Sequence, residues 1–132
     1  KPERVICATG ASERMLCFPS NDLPGVYGAG AAQTLMNVYG VKPGNRVLMI
    51  GAGNIGLIVS YQLMQAGVQV AAVLEAMPHV GGYDVHARKI QRAGIPVLTS
   101  HTISAAHGSR SVEGATVCAL DGNFLPVSDS RR

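Results

Sequence analysis

A chain of 132 residues has room for one domain, and its makeup is apolar, with 47% hydrophobic and 14% charged residues, where an average soluble domain carries about 25% charged. The net charge of +3 is too small and too scattered for a nucleic-acid surface, and glycines, Asn54 and three glutamines interrupt residues 51–69, so no run of about 18 apolar residues is left to span a membrane. The low charge instead implies that part of the surface is normally covered by another domain, a partner subunit or a second copy of the chain.

Residues 4–8 read as a short buried strand ending at Thr9 and Gly10, with Cys7 as a small buried hydrophobe. A polar, turn-rich connector follows, marked by residues 11–14, 19–22 and 24–25. The pattern predicts a helix over 30–38, ended by Tyr39 and Gly40, and a tight turn over 41–45. Arg46 to Ile50 is short and apolar enough for a buried parallel strand. Residues 55–66 have helix length, and Gly67 stands where a C-cap is expected. Residues 68–74 are β-branched and apolar and predict a second strand. Pro78 with Gly81 and Gly82 makes the next loop, and residues 85–93 predict a helix capped by Gly94, with Arg88, Lys89 and Arg92 on a solvated face. Residues 95–100 predict a third strand. Residues 112–120 and 124–127 predict a hairpin turned by Asp121, Gly122 and Asn123. The sequence opens on Lys1 without an initiator methionine and closes on residues 128–132, just where a doubly wound sheet would want another parallel strand. The expectation is a piece of a longer polypeptide.

The most informative stretch is 47–75: strand, glycine turn, helix, strand, with an acid at the end. Glycines are common here, 16 of 132 residues, so a bare G-x-G-x-x-G would say little; this one has its required context. Gly51 allows a sharp turn off the strand, Gly53 leaves room for backbone to approach a pyrophosphate, and Gly56 allows the helix to pack close to the sheet. The helix start offers unpaired N–H groups and a partial positive charge to phosphates. The binding stretch is therefore Gly51, Ala52, Gly53, Asn54, Ile55 and Gly56. Glu75 stands about 20 residues further on, where a ribose-binding acid is expected, with Ala76 and Met77 beside it. A carboxylate there accepts hydrogen bonds from both ribose hydroxyls and repels a 2′-phosphate. The first arginine beyond it is Arg88, so NAD(H) is favoured over NADP(H). The bland alternatives are glycines that serve packing only and a Glu75 that is merely a solvated charge.

Other chemistries fail on spacing. Tyr27, Tyr39, Tyr61 and Tyr83 are followed four residues on by Ala31, Pro43, Gln65 and Ala87, never by lysine, which argues against a short-chain dehydrogenase. His79, His86, His101 and His107 show no metal-ligand spacing, and Cys7, Cys17 and Cys118 form no C-x-x-C pair. There is no G-x-S-x-G elbow. No catalytic acid, base or nucleophile and no metal ligand is therefore expected. No signal-peptide pattern opens the sequence, and the cysteine usage fits a reducing cytoplasm.

Three stretches carry a family resemblance. Residues 7–10 with 11–14 look like the "ATG" segment at which a chain leaves a flavin domain. Residues 23–26 with 29–33 are similar to the crossover helix of a subgroup of amine and imino-acid oxidoreductases that includes the sarcosine oxidase alpha chain and hydrogen cyanide synthase. The fingerprint followed by residues 73–78 is the third. Further on, residues 100–102 and 112–117 look like FAD-dependent oxidoreductases of anaerobic bacteria. The chain thus resembles the NAD-binding domain of the pyridine nucleotide-disulfide oxidoreductase superfamily, the flavoproteins with two dinucleotide-binding domains. The resemblance implies that NAD(H) bound here exchanges hydride with FAD held by a neighbouring flavin domain of the same polypeptide. Three departures stand out. The flavin domain's own glycine fingerprint is absent, the disulfide-type redox pair is absent, and Ile58 stands where many relatives carry a glutamate near the nicotinamide.

The fold expected is α/β: a Rossmann-like three-layer domain with a parallel sheet and a small antiparallel β-hairpin or meander. Residues 1–40 are expected to be a crossover segment (strand, connector, helix) from a missing flavin domain. Residues 41–132 are expected to be the NAD(P)-binding Rossmann domain, truncated at its C-terminus. The function expected is the NAD(H)-binding domain of an FAD-dependent oxidoreductase, not catalytic alone, with FAD only in the parent protein. The alternative is a non-catalytic NADH-sensing module or a vestigial Rossmann interaction module.

Overall fold

The computed structural model describes residues 2–127. Lys1 and residues 128–132, after which a further parallel strand was expected, lie outside the described residues. In chain order the elements are helix α1 (Ala29–Asn37), strand β1 (Arg46–Ile50), helix α2 (Asn54–Gln65), strand β2 (Gln69–Glu75), helix α3 (Asp84–Arg92), and strands β3 (Val97–Thr99), β4 (His101–His107) and β5 (Gly114–Ala119). Strands β1, β2 and β3 lie side by side in that order, all parallel. Strands β4 and β5 form a separate antiparallel pair. The α/β fold with a parallel sheet and an antiparallel meander is as the sequence predicts.

Helix α2 lies on β1 and β2 and is flanked by α1 and α3. Its buried stripe of Leu57, Val59 and Leu63 meets Met49, Val70 and Val73 of the sheet and Ala87 and Ile90 of α3. Leu57, Val59, Val73 and Ile90 are fully buried, and each such side chain contributes about 1.5–3 kcal/mol of apolar transfer. Both α2 and α3 end in the same way. Val68 N–H donates to the Leu63 carbonyl (2.9 Å) and Gly67 N–H to that of Met64 (3.0 Å); Ile95 N–H donates to Ile90 (3.2 Å) and Gly94 N–H to Gln91 (2.9 Å). These paired bonds close the open carbonyls of each last turn, and the apolar residue after each glycine packs back onto the core.

The register Val47↔Val70 is followed by Leu48↔Ala72, so β2 carries an extra residue at Ala71. That bulge sets Val70 and Val73, an odd spacing, on the same helix-facing side. Side chains alternate across a strand, so Ala72 and Leu74, buried but outside the helix-side cluster, face the other way. There β4 packs on β2, with Ala106 and Cys118 buried in the meander.

Three expectations need correction. Residues 4–8 form no strand and are exposed, Val5 and Ile6 by 77% and 90%, and Cys7 is exposed rather than buried. A strand needs a neighbour to bond its backbone, and no described residue pairs with this one. Second, the third parallel strand stops at Thr99, because Ser100 turns into the left-handed region (φ 53°) and sends the chain into β4. Ser100 N–H donates to the Met77 carbonyl (3.0 Å), and its own carbonyl accepts from Leu120 N–H (2.7 Å). Third, β5 pairs with β4 over 101–107, a segment without a predicted element. The expected partner 124–127 makes one bridge, Leu120↔Pro126, with Val127 N–H donating to the Ala119 carbonyl. Pro126 has no N–H to extend that ladder. The turn itself is real: Asp121 Oδ1 accepts from the N–H groups of Asn123 (2.8 Å) and Leu125 (2.9 Å).

Candidate functional site

Parallel strands β1 and β2 run in register to Ile50↔Leu74, and Gly51 N–H then donates to the Leu74 carbonyl (2.7 Å). The chain turns at Gly51, whose φ of +100° is a conformation that residues with a Cβ rarely adopt. Gly53 is the N-cap of α2 in extended conformation, with open space around it. Gly56 sits one turn in, against Gly51: a Cβ there would collide with the Gly51 carbonyl oxygen. The helix therefore starts directly beneath the turn, as the close-packing glycine predicts. The N–H groups of Gly53, Asn54, Ile55 and Gly56 find no acceptor among the described residues. They form a cluster of unpaired donors at the positive end of a helix.

The peptide groups of Ala52 are held from both sides. Its N–H donates to Glu75 Oε2 (2.8 Å) and its carbonyl accepts from Gly82 N–H (2.9 Å). Ala52 is fully buried, so its part is to fix the turn. Glu75 Oε1 accepts from Met77 N–H (2.9 Å). The carboxylate thus ties the end of β2 to the glycine turn, and each oxygen keeps a further lone pair for another donor. Glu75 and Ala76 are half-buried and Met77 is exposed. All nine residues singled out from sequence, 51–56 and 75–77, meet at the carboxyl ends of β1 and β2.

Two features of the surroundings were not read from sequence. The loop after β2 docks on the turn: Asn54 Oδ1 accepts from Tyr83 N–H (2.7 Å), and Gly82 lies against the backbone of Gly53 and Asn54. The Gly81–Gly82 doublet is visible in the sequence, where it predicts only a loop. Secondly, Glu13 caps α1. Its Oε1 accepts from Gly30 N–H (2.8 Å), and a Cβ on Gly28 would collide with its Oε2. Glu13 and Gly30 are far apart in sequence and belong to no local capping pattern, so nothing short-range announced the bond. Helix α1 is joined to α2 by Gln33 Nε2 donating to Gln62 Oε1 (2.9 Å). Ile58 lines a shallow cavity with Tyr61, His86 and Lys89, where Lys89 Nζ stands 5.2 Å from the Tyr61 ring centroid. No group of three or more His, Cys, Asp or Glu side chains that could hold a metal occurs among the described residues.

Comparison with known proteins gives a family. Residues 1–127 match the model of the pyridine nucleotide-disulphide oxidoreductase family. The chain belongs to the pyridine nucleotide-disulphide oxidoreductase family. It is 35% identical over 130 residues to sarcosine oxidase subunit alpha of Rhizobium meliloti (strain 1021), matching 94% of this chain and 13% of that one. It is 42% identical over 72 residues to hydrogen cyanide synthase subunit HcnB of Pseudomonas aeruginosa, matching 54% of this chain and 16% of that one. The chain therefore spans a small part of the length of these relatives. Among solved structures, Mycobacterium tuberculosis FprA in complex with NADPH superposes with a TM-score of 0.69 at 17% identity, over 95% of this chain and 46% of that one. That likeness establishes a shared fold. In this member of the pyridine nucleotide-disulphide oxidoreductase family the cysteines stand apart and free, Cys7 and Cys17 exposed and Cys118 buried in β5. No described helix is long and apolar enough to cross a membrane.

Proposed function

We propose that this chain is the NAD(H)-binding domain of an FAD-dependent oxidoreductase. The carrying observation is the cluster of unpartnered N–H groups from Gly53 to Gly56 at the head of α2, faced at the next strand end by the anchored Glu75 carboxylate. Donors of that kind fit a pyrophosphate, and the spare lone pairs of Glu75 fit ribose hydroxyls. In this reading the nicotinamide supplies the hydride chemistry, and the chain's residues bind and orient it. FAD belongs to a neighbouring domain of the parent polypeptide, with residues 1–40 as the crossover from it and 41–132 as the nucleotide domain. The free cysteines fit a reducing cytoplasm.

Preference for NAD(H) over NADP(H) rests on two observations. Glu75 ends β2, and in this reading its carboxylate would repel a 2′-phosphate. Arg88, the first arginine beyond it, is paired with Asp84 one turn away on α3 (3.2 Å) rather than turned to that position. Calorimetric titration with NADH and, separately, NADPH tests the reading. Tighter binding of NADH is expected, and tighter binding of NADPH would remove the role given to Glu75. A second reading, a module that senses NADH without turnover, is favoured by Ile58, an apolar side chain at a position where many relatives carry a carboxylate. Reduction of a bound flavin by NADH in the full-length protein would eliminate that second reading.

A further inference from the structure

Every polar group of Ala52 is engaged by protein, and the partner of its carbonyl comes from the loop between β2 and α3. The same loop makes a second bond from Tyr83 N–H to Asn54 Oδ1. Because the Tyr83 N–H requires an oxygen, the Asn54 amide is oriented by it, and Asn54 Nδ2 is left without a partner among the described residues. Between these two bonds sits Gly82. A Cβ there would stand 2.6 Å from Leu57 Cδ1, 3.0 Å from the Gly53 carbonyl carbon and 3.1 Å from Asn54 N. Leu57 is fully buried and has little room to give way. A side chain at 82 would thus push on the backbone that carries the unpaired N–H groups.

We infer that Gly82 and Asn54 are positioning residues of the nucleotide site: Gly82 and Tyr83 clamp the glycine turn and hold its donors in place before any ligand arrives. The inference rests on the NAD(H) reading for its consequence, although the clamp itself is a property of the unliganded protein. Ligand geometry is pre-set because the turn is fixed on one side by Glu75 and on the other by Gly82, so binding need not order it. Gly82 touches no ligand in this scheme; it acts through Gly53 and Asn54.

Gly81 supplies the control. It lies in the same loop with open space where a Cβ would be and no left-handed φ, so an alanine there removes glycine flexibility without touching the turn. The experiment compares Gly82→Ala with Gly81→Ala in the full-length protein. Hydrogen exchange of peptides covering 50–57 and 80–86 is followed without nucleotide. NAD+ affinity is then measured by calorimetry at a temperature where circular dichroism shows both variants folded. Gly82→Ala is expected to speed exchange in both peptides and to weaken NAD+ about tenfold, the worth of roughly one hydrogen bond. Gly81→Ala is expected to change neither. Equal exchange in the two variants would overturn the clamp. Faster exchange with unchanged affinity would overturn the positioning role. If the unsubstituted protein binds no NAD+, the proposed function fails, and the exchange comparison still decides the clamp. Should Gly82→Ala not fold, Asn54→Ala breaks the Tyr83 bond alone, and slow exchange at Tyr83 in that variant would overturn the inference.

Discussion

The parallel sheet with its glycine turn and the N-terminal segment 2–17 both carry apolar residues and treat them in opposite ways. In the first, Val70, Val73 and Leu74 are buried on a sheet whose backbone is bonded strand to strand, and even the turn beyond it is tied on both sides. In the second, Val5, Ile6, Met15 and Leu16 are exposed, and residues 4–8 run without a neighbouring strand. Apolar content alone does not make a core. The difference lies in whether other elements arrive to bond the backbone and cover the side chains.

The strongest way to break this contrast is at the tightest contact of the ordered end. Gly56→Ala sets a methyl group against the Gly51 carbonyl, and neither backbone can swing aside as a side chain could. A loss of about 3 kcal/mol in denaturant-derived stability is expected, toward the upper end of overpacking costs, together with loss of NADH binding. Unchanged stability would mean the helix start can slide away from the turn.

Glu75→Ala comes next. NADH affinity is expected to fall by about 1.5–3 kcal/mol, the usual worth of hydrogen bonds to a charged group, as read by calorimetry. Because Glu75 also accepts from Ala52 and Met77, the melting temperature of the ligand-free protein is expected to drop as well. A solvated charge with no role in the turn would leave both values where they are.

A smaller effect of opposite sign is expected at Ser60. Its hydroxyl is fully buried on α2 and has no hydrogen-bond partner among the described residues, so α2 carries a polar group that they leave unsatisfied. Ser60→Ala is expected to stabilise the fold by about 1 kcal/mol in urea unfolding, by removing an unpaired buried group. A destabilisation would reveal a partner for that oxygen, such as an internal water.

The N-terminal segment provides the smallest effect. Ile6→Ser, at a side chain 90% exposed, is expected to change the unfolding free energy of this chain by no more than about 0.5 kcal/mol. A larger loss would show that residues 2–17 are covered in solution, by a second copy for instance, and sedimentation of the same samples would separate that case.

Much of the parallel sheet and its glycine turn was legible in sequence. The strand predicted at Arg46 to Ile50 matches β1, and the predicted helices 30–38, 55–66 and 85–93 differ from α1, α2 and α3 by one residue at each end. The structure brings the glycines and Glu75 together at the carboxyl ends of β1 and β2. What was not legible depended on partners distant in sequence. Strand β4 reads His-Thr-Ile-Ser-Ala-Ala-His, without the β-branched alternation that marks a strand, and exists because β5 bonds it. Residues 4–8 have a strand's composition without a strand's neighbour. The bonds from Glu13 to Gly30 and from Tyr83 to Asn54 join residues 17 and 29 positions apart.

By itself the sequence determined the repeating strand–helix–strand order and the location of the glycine turn. Those features follow from local periodicity, from backbone angles that only glycine adopts readily, and from helix ends that a glycine closes. Tertiary structure decided how the turn is held, which strand β5 joins, and which apolar residues become core. Each of these is a pairing between distant segments, and the chain's local preferences carry no record of which of its distant parts will meet.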